Sequence, residues 1–424
     1  MRFLTGLGLW ATLSLAAIAP APAETTAFIG ATVIDGTGRA PIGDGVVVVT
    51  DGKIAAVGTR GRVAIPAGAT RIDVQGKTIM PGIVNAHGHL FFDPRSAVPP
   101  RTQLADQLAL YARYGVTTVY SLGDDGVETV KLRDELRAAP YGPGMARLWV
   151  SGPVLTAKSP EEGRATVTAN AARGVDIIKI RLEGPPDAPI RTPAVYGAMI
   201  DQAHLEKLRI AVHMFTADET RGVVEAGADI LAHSIRDRDV DPVLIAAIKA
   251  NGVGYIPTLT RDLSVFVSAS TPNFIADPFF TKEAAYRAPL APLLDPAAQA
   301  RVKANASAQA IKPALEQAKR NLKLLSDAGV QIAMGTDTGA PTGRWQGYFE
   351  HLEMEMMVEA GMTPTKVLVA ATGGAAKVMK IDDQVGTLRP GRQADLLVLG
   401  ANPLKDIRNT HSLEQVWIAG RKID

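Results

Sequence analysis

The stretch Gly227-Ala228-Asp229-Ile230-Leu231-Ala232-His233 contains one architectural unit. It opens on a glycine of the kind that ends a helix in the left-handed conformation. A short apolar run of strand length follows, and the strand stops on a side chain that can bind a metal or a proton. Gly115, Gly174, Gly252 and Gly329 stand in the same relation to their neighbours, each after a helical pattern and before an apolar run.

Reading outward from that unit, short apolar runs alternate with helical patterns through the middle of the chain, at 79–86, 116–122, 148–155, 175–182, 210–215, 229–235, 253–259 and 330–335. Helix starts are marked by Thr192-Pro193 and Asp241-Pro242, a capping residue before a proline in the first turn. Alternating strands and helices make a parallel sheet, and eight such units predict an α/β fold, a (β/α)8 TIM-type barrel. An open doubly wound sheet is the alternative, but no GxGxxG fingerprint supports it. The connection between the seventh and eighth runs is far longer than a βα turn needs. Its excess, residues 261–299, carries Phe266, Phe274, Phe279, Phe280 and Tyr286, and reads either as a lid over the barrel mouth or as a helical hairpin packed on its side.

The two ends of the chain have a different texture. Val46-Val47-Val48-Val49 runs into Asp51-Gly52, a hairpin turn signal, and then Lys53-Ile54-Ala55-Ala56-Val57. Asp395-Leu396-Leu397-Val398-Leu399 and Glu414-Gln415-Val416-Trp417-Ile418 repeat that pattern near the C-terminus. A small β-sandwich built from both termini is therefore expected, with residues 24–80 and 381–424 flanking a barrel at 81–380. Residues 1–23 read as a secretory leader: Arg2, an apolar stretch over 3–18, and Ala21-Pro22-Ala23 as the cleavage site. Cleavage after Ala23 predicts a periplasmic or secreted protein with no membrane segment left; an uncleaved anchor is the lesser alternative.

Composition narrows the chemistry. The 424 residues include no cysteine, which removes disulfides, thiolate metal sites and a catalytic thiol. With 45 Lys+Arg against 43 Asp+Glu and no basic run, there is no electrostatic footprint for nucleic acid. GxSxG, SxxK, HExxH and Walker A motifs are missing as well.

Four of the seven histidines fall at strand ends. His87 and His89 are two apart in Asn85-Ala86-His87-Gly88-His89, which places both rings on one face of a strand. His213 ends the fifth run, His233 the sixth, and Asp337 the eighth, in Gly335-Thr336-Asp337-Thr338. In such a barrel these ends converge on one mouth, and imidazole with carboxylate is the donor set that zinc, manganese or cobalt accepts. Lys179 lies inside the fourth strand, apolar on both faces, where a lone ammonium costs several kcal/mol. It must pair with a carboxylate, lose its proton, or react with carbon dioxide to form a carbamate.

The set His-x-His on strand one, Lys on strand four, His on strands five and six and Asp on strand eight resembles the binuclear amidohydrolase superfamily. In texture the chain is most similar to the imidazolonepropionase-related, dipeptidase-like branch, through Gly227 to His233, Pro257-Thr258-Leu259, Ala370-Ala371-Thr372 and Gly386-Thr387-Leu388-Arg389-Pro390-Gly391-Arg392-Gln393-Ala394-Asp395. The resemblance implies two divalent metal ions, zinc first and manganese or cobalt as alternatives. His87, His89 and Asp337 would hold one, His213 and His233 the other, with carbamylated Lys179 as the bridging ligand. It further implies a bridging hydroxide that attacks an amide carbonyl and Asp337 as the catalytic proton shuttle. One departure is Thr156-Ala157-Lys158-Ser159 after strand three, where dipeptidase-like relatives commonly carry Gly-Gly-His.

Arg261 after strand seven and Tyr120 at the end of strand two are candidate substrate-binding residues, with Arg181 and Arg236 near their own strand ends. Asp124 and Asp125 read as helix caps, and His204, His351 and His411 as structural or exposed. The expected partner is a small-molecule substrate such as a dipeptide or N-acyl amino acid, with a homo-oligomer left open. The alternatives are a mononuclear imidazolonepropionase or deaminase type, which lacks the strand-four lysine, a lactonase or phosphotriesterase on the same centre, and an inactive periplasmic binding protein.

Overall fold

In the computed structural model the described residues are 24–138, 144–182, 187–283, 290–339 and 343–423; the expected leader and Tyr286 lie outside them. Both ends of the chain meet in one sheet. Its strands are β1 (Thr25–Val33), β2 (Ile42–Thr50), β3 (Lys53–Thr59), β4 (Thr70–Asp73) and β5 (Thr78–Pro81) from the N-terminal side. The barrel strands β6 (Ile83–Gly88), β7 (Val116–Ser121), β8 (Arg147–Val150), β9 (Ile178–Arg181), β10 (Ile210–His213), β11 (Ile230–Ala232) and β12 (Gly254–Ile256) follow. The C-terminal side returns β13 (Leu396–Leu399), β14 (Leu413–Ile418) and β15 (Arg421–Ile423) to the first sheet.

That sheet runs β15-β14-β13-β5-β1-β2-β3, with β4 paired to β1. The two termini are thus joined by hydrogen bonds between β13 and β5, Leu397 facing Met80 in the register. The expected two-layer sandwich is, in strand pairing, a single eight-stranded sheet. The period of two explains why it still has two cores: Phe28, Val47, Ile54 and Trp417 pack on one face, and Ala27, Val46 and Val48 on the other. The hairpin at Asp51-Gly52 forms as its sequence demands, with φ of +49° and +76° and Thr50 paired to Lys53.

The middle of the chain supplies two parallel arcs, β6-β7-β8 and β9-β10-β11-β12. Single parallel bridges link them, Leu155 to Ile180, Tyr255 to Ile332 and Gly88 to Thr338. This is the arrangement of a TIM-type barrel with a small extra domain. All five helix-stop glycines have positive φ, between +64° at Gly252 and +92° at Gly227. Asp241 caps its helix through Leu244 N at 2.9 Å, whereas Thr192 makes no side-chain cap. The eighth run forms only isolated bridges instead of a regular strand. Its backbone departs from the ladder because Thr336 N and Asp337 N both donate to the His87 carbonyl, at 3.0 and 2.7 Å.

The barrel interior is packed with Val84, Ala86, Tyr120, Trp149, Ile177 and Ile256, and the helix Gly373–Met379 plugs the end where the strands begin. Gly82 links the two sheets; a Cβ there would lie 2.1 Å from Thr117 Oγ1. Among the described residues of the insertion after β12, three aromatics lie on the barrel flank and not over the mouth. Phe274, Phe279 and Phe280 pack with Tyr114, Trp345 and Phe349 on the barrel flank. Burying an aromatic there contributes roughly 1.5–3 kcal/mol, which accounts for these three residues by packing. Among the described residues no helix is long and apolar enough to cross a membrane.

Candidate metal centre

The strand ends do converge. His87, Lys179, His213, His233 and Asp337 are all buried, and His89 is largely so. Ring centroids lie 4.8 Å apart for His87 and His233 and 4.3 Å for His213 and His233. One ligand atom each from His87, His233 and Asp337 fall within 4.8 Å of one another. His233 and Asp337 have φ of +81° and +60°, as does the neighbouring Thr258 at +48°. Left-handed backbone at a non-glycine residue costs about 1–3 kcal/mol and persists where the surroundings hold it. Three such residues at one barrel mouth mark the place where the chain has been bent to aim side chains.

The donor set fits a cation. His89 Nδ1 lies 3.2 Å from the Gly123 carbonyl, which only accepts, so the proton sits on Nδ1. His89 Nε2 then turns a lone pair toward Asp337 Oδ1 at 2.6 Å, with His87 Nε2 3.3 Å from the same oxygen. Lone pairs that close need a proton or a metal ion in common. His233 Nδ1 is held by Thr258 Oγ1 at 2.8 Å, leaving Nε2 as its ligating atom. Lys179 Nζ is buried without a hydrogen-bond partner.

Protonation states follow from burial and charge. Burial, then the Lys179 charge, push the His87 imidazole well below its ordinary value. Burial, then His213 and His87, do the same to His233. Burial raises the Asp337 carboxyl, but the hydrogen bonds and charges of His87 and His89 outweigh it and hold Asp337 well below the usual range. Burial opposes protonation of His89, yet its bond to Asp337 raises it. Burial brings Lys179 down to about 7 against the pull of Asp337, with Arg181 and Arg261 adding to the fall. Neutral imidazoles at His87 and His233, an ionised carboxylate and a readily deprotonated amine are the states a divalent ion takes up.

Above the centre is a cavity of about 720 Å³. Its lining includes the apolar Leu90, Phe91, Phe92, Leu122 and Val154 and the cationic Arg181, Arg261 and Arg344. Arg261 Nη1 pairs with Asp262 at 2.9 Å, and its guanidinium lies 4.6 Å from the Phe215 ring centre. Arg344, which no motif pointed to, pairs with Asp337. Arg236 stacks on Phe215 at 3.6 Å, pairs with Asp262 and does not line the cavity.

Two expectations are corrected. Tyr120 is not at the mouth: it points down into the barrel, stacks on Trp149 at 5.4 Å and donates to the Met379 carbonyl at 3.1 Å. Strand alternation put it on the inner face, but one layer too deep to meet substrate. Asp125 is no helix cap. It is buried, accepts from Ser121 Oγ, Ser151 N and Gly152 N, and ties the ends of β7 and β8 together; burial raises its carboxyl to about 7. Asp124 does line the cavity. His351 packs as expected, between the Tyr114 carbonyl and Thr410.

The model of the amidohydrolase family matches residues 78–423. An imidazolonepropionase from Salinispora tropica is 26% identical over 398 residues, 86% of this chain and 88% of the relative. The ochratoxinase of Aspergillus niger is 25% identical over 290 residues, 64% of this chain; the match spans only about half (51%) of that relative's length. Among solved structures, a candidate prolidase from Bifidobacterium longum superposes with a TM-score of 0.75 at 28% identity, covering 94% of each chain. A Xaa-Pro dipeptidase with bound methionine gives 0.74 at 21% identity, over 94% of this chain and 99% of the other. The chain belongs to the amidohydrolase family, on the branch that holds the imidazolonepropionases and the dipeptidase-like proteins.

Proposed function

We propose that the chain is a metal-dependent hydrolase of an amide C–N bond, acting on a small substrate with a carboxylate and an apolar acyl or aryl part. The observation that carries this reading is the convergence of His87, His89, His213, His233 and Asp337 around the buried, unpartnered amine of Lys179. The donor set would suit two divalent ions, zinc first: His87, His89 and Asp337 would hold one, and His213 and His233 the other. Lys179 would serve as a further ligand as its carbamate, formed when the neutral amine adds to carbon dioxide, making an N–C bond and releasing one proton. A divalent pair in this place would bring water's pKa to about 7 and polarise the scissile carbonyl.

The remaining work belongs to the chain. Asp337, ionised and aimed by His87 and His89, accepts the proton of the attacking water and returns it to the leaving nitrogen. Arg261, with Arg344 beside it, receives the substrate carboxylate. Leu90, Phe91, Phe92, Leu122 and Val154 take the apolar part and keep bulk water from the reacting carbonyl. Closure of the eight-unit barrel is part of the proposal, supported by the three bridges between the arcs.

A mononuclear centre is the second reading, favoured by the tighter grouping of His87, His233 and Asp337. Export, with a leader removed after Ala23 and a periplasmic or secreted mature chain, is proposed from the leader sequence alone. The test of function is a screen of metal-loaded protein over dipeptides, N-acyl amino acids, lactones and organophosphates. Turnover of a carboxylate-bearing amide, lost in Lys179→Ala, is expected; turnover of only esters or phosphates would overturn the reading.

A further inference from the structure

The helix Tyr348–Glu359 carries two carboxylates three residues apart on its inward face, Glu350 and Glu353, both fully buried. Their neighbours Phe349, Met354 and Met357 are apolar, so each acid is costly there unless its oxygens are hydrogen bonded. Glu350 Oε1 alone accepts three bonds: from Asn85 Nδ2 at 2.6 Å, Thr336 Oγ1 at 2.8 Å and Thr338 Oγ1 at 2.7 Å. Thr336 and Thr338 flank Asp337 on either side. Asn85 Oδ1 in turn accepts from His87 N at 3.0 Å. Thr338 Oγ1 also meets the Tyr111 hydroxyl at 2.7 Å, which anchors the cluster to the helix Pro100–Arg113.

One oxygen atom thus ties the strand bearing His87 to the turn bearing Asp337. Asp337 sits in left-handed backbone and has no regular strand around it, so it needs an external hold. Glu353 serves the segment after β12. Its carboxylate accepts from Leu259 N, Thr260 N and Thr260 Oγ1 at 2.7–2.8 Å, next to Thr258, whose hydroxyl holds His233.

We infer that Glu350 is a positioning residue for the centre: its Oε1 sets the place and aim of Asp337 relative to His87. The inference rests on the function proposed for Asp337 above. The acceptor oxygen is what matters, because Oε2 has no hydrogen-bond partner. Glutamine keeps that oxygen; alanine does not.

The experiment compares full-length wild type, Glu350→Gln, Glu350→Ala, Thr338→Ser and Thr338→Val. Two readouts are taken: the visible spectrum of cobalt-substituted protein, and kcat and KM per bound metal on the best amide found for wild type. A misplacement of order 1 Å at a reacting group costs about 100-fold, so Glu350→Ala is expected to lose about that in kcat with KM little changed and an altered cobalt spectrum. Glu350→Gln is expected to restore most of both. If Glu350→Ala does not fold, Thr338→Val decides, with an altered spectrum and reduced kcat expected against a normal Thr338→Ser. An unchanged spectrum and kcat in Glu350→Ala or Thr338→Val, or Glu350→Gln as impaired as Glu350→Ala, overturns the inference alone. A wild type that binds no cobalt overturns the proposed function and this inference together.

Discussion

Replacing Lys179 by methionine should stabilise the metal-free protein while abolishing its function. The amine is fully buried without a hydrogen bond, and burial brings it from 10.5 down to about 7. A folded lysine with a depressed pKa sheds its proton before the unfolded one does, so between about 7 and 10.5 the unfolded state holds more protons and stability rises with pH. Below about 7 the full cost is present. At about 1.4 kcal/mol per unit, the shift costs roughly 4–5 kcal/mol. Methionine has similar length and no charge, and it leaves the neighbouring Ile177 and Ile180 packing in place. Urea unfolding of chelated protein in buffer free of carbon dioxide reads the difference. Lys179→Met should exceed wild type by about 4 kcal/mol at pH about 6, with the gap closing by about 1.4 kcal/mol per pH unit above about 7. Parallel stability profiles for the two proteins would mean that the ammonium is solvated or paired, and the reasoning about the bridging position would fail.

Arg261→Met should raise KM about tenfold for a carboxylate-bearing amide and leave its neutral amide analogue nearly unchanged, since a charge-assisted bond contributes about 1.5–3 kcal/mol; steady-state kinetics on the matched pair checks this. Tyr120→Phe removes one buried bond to the Met379 carbonyl and should cost about 1 kcal/mol in urea unfolding with kcat and KM unchanged. Gly82→Ala forces a methyl against Thr117 and should lower stability by about 2–3 kcal/mol, read as a drop in the thermal midpoint; an unchanged midpoint would contradict the packing between the sheets.

What was legible in the sequence was the part written by local rules. Helix-stop glycines and short apolar runs located seven of the barrel strands, because each signal needs only its neighbours in the chain. The six ligand candidates were visible for a related reason: strand ends of a barrel share one mouth, so topology brings together what sequence separates. The residues that were missed act at long range. Arg344 lies in a loop after Asp337 with no motif around it, and Glu350 reaches Asn85 across 265 positions. One clue to the glutamates was present in Tyr348-Phe349-Glu350-His351-Leu352-Glu353-Met354, where acids recur on the apolar face of a helix. Tyr120 failed in the other direction, since alternation gives a face but not a depth. The eighth strand was expected to be regular and is not, because its backbone amides turn to the His87 carbonyl.

The proposed centre has six residues holding two metal ions across a modified lysine. Elemental analysis of the purified, metal-reconstituted wild type alongside Lys179→Ala tests it most directly. Two divalent ions per chain are expected in the wild type, with loss of the bridged pair in the variant. One ion per chain in both proteins would contradict it and leave a mononuclear centre in its place.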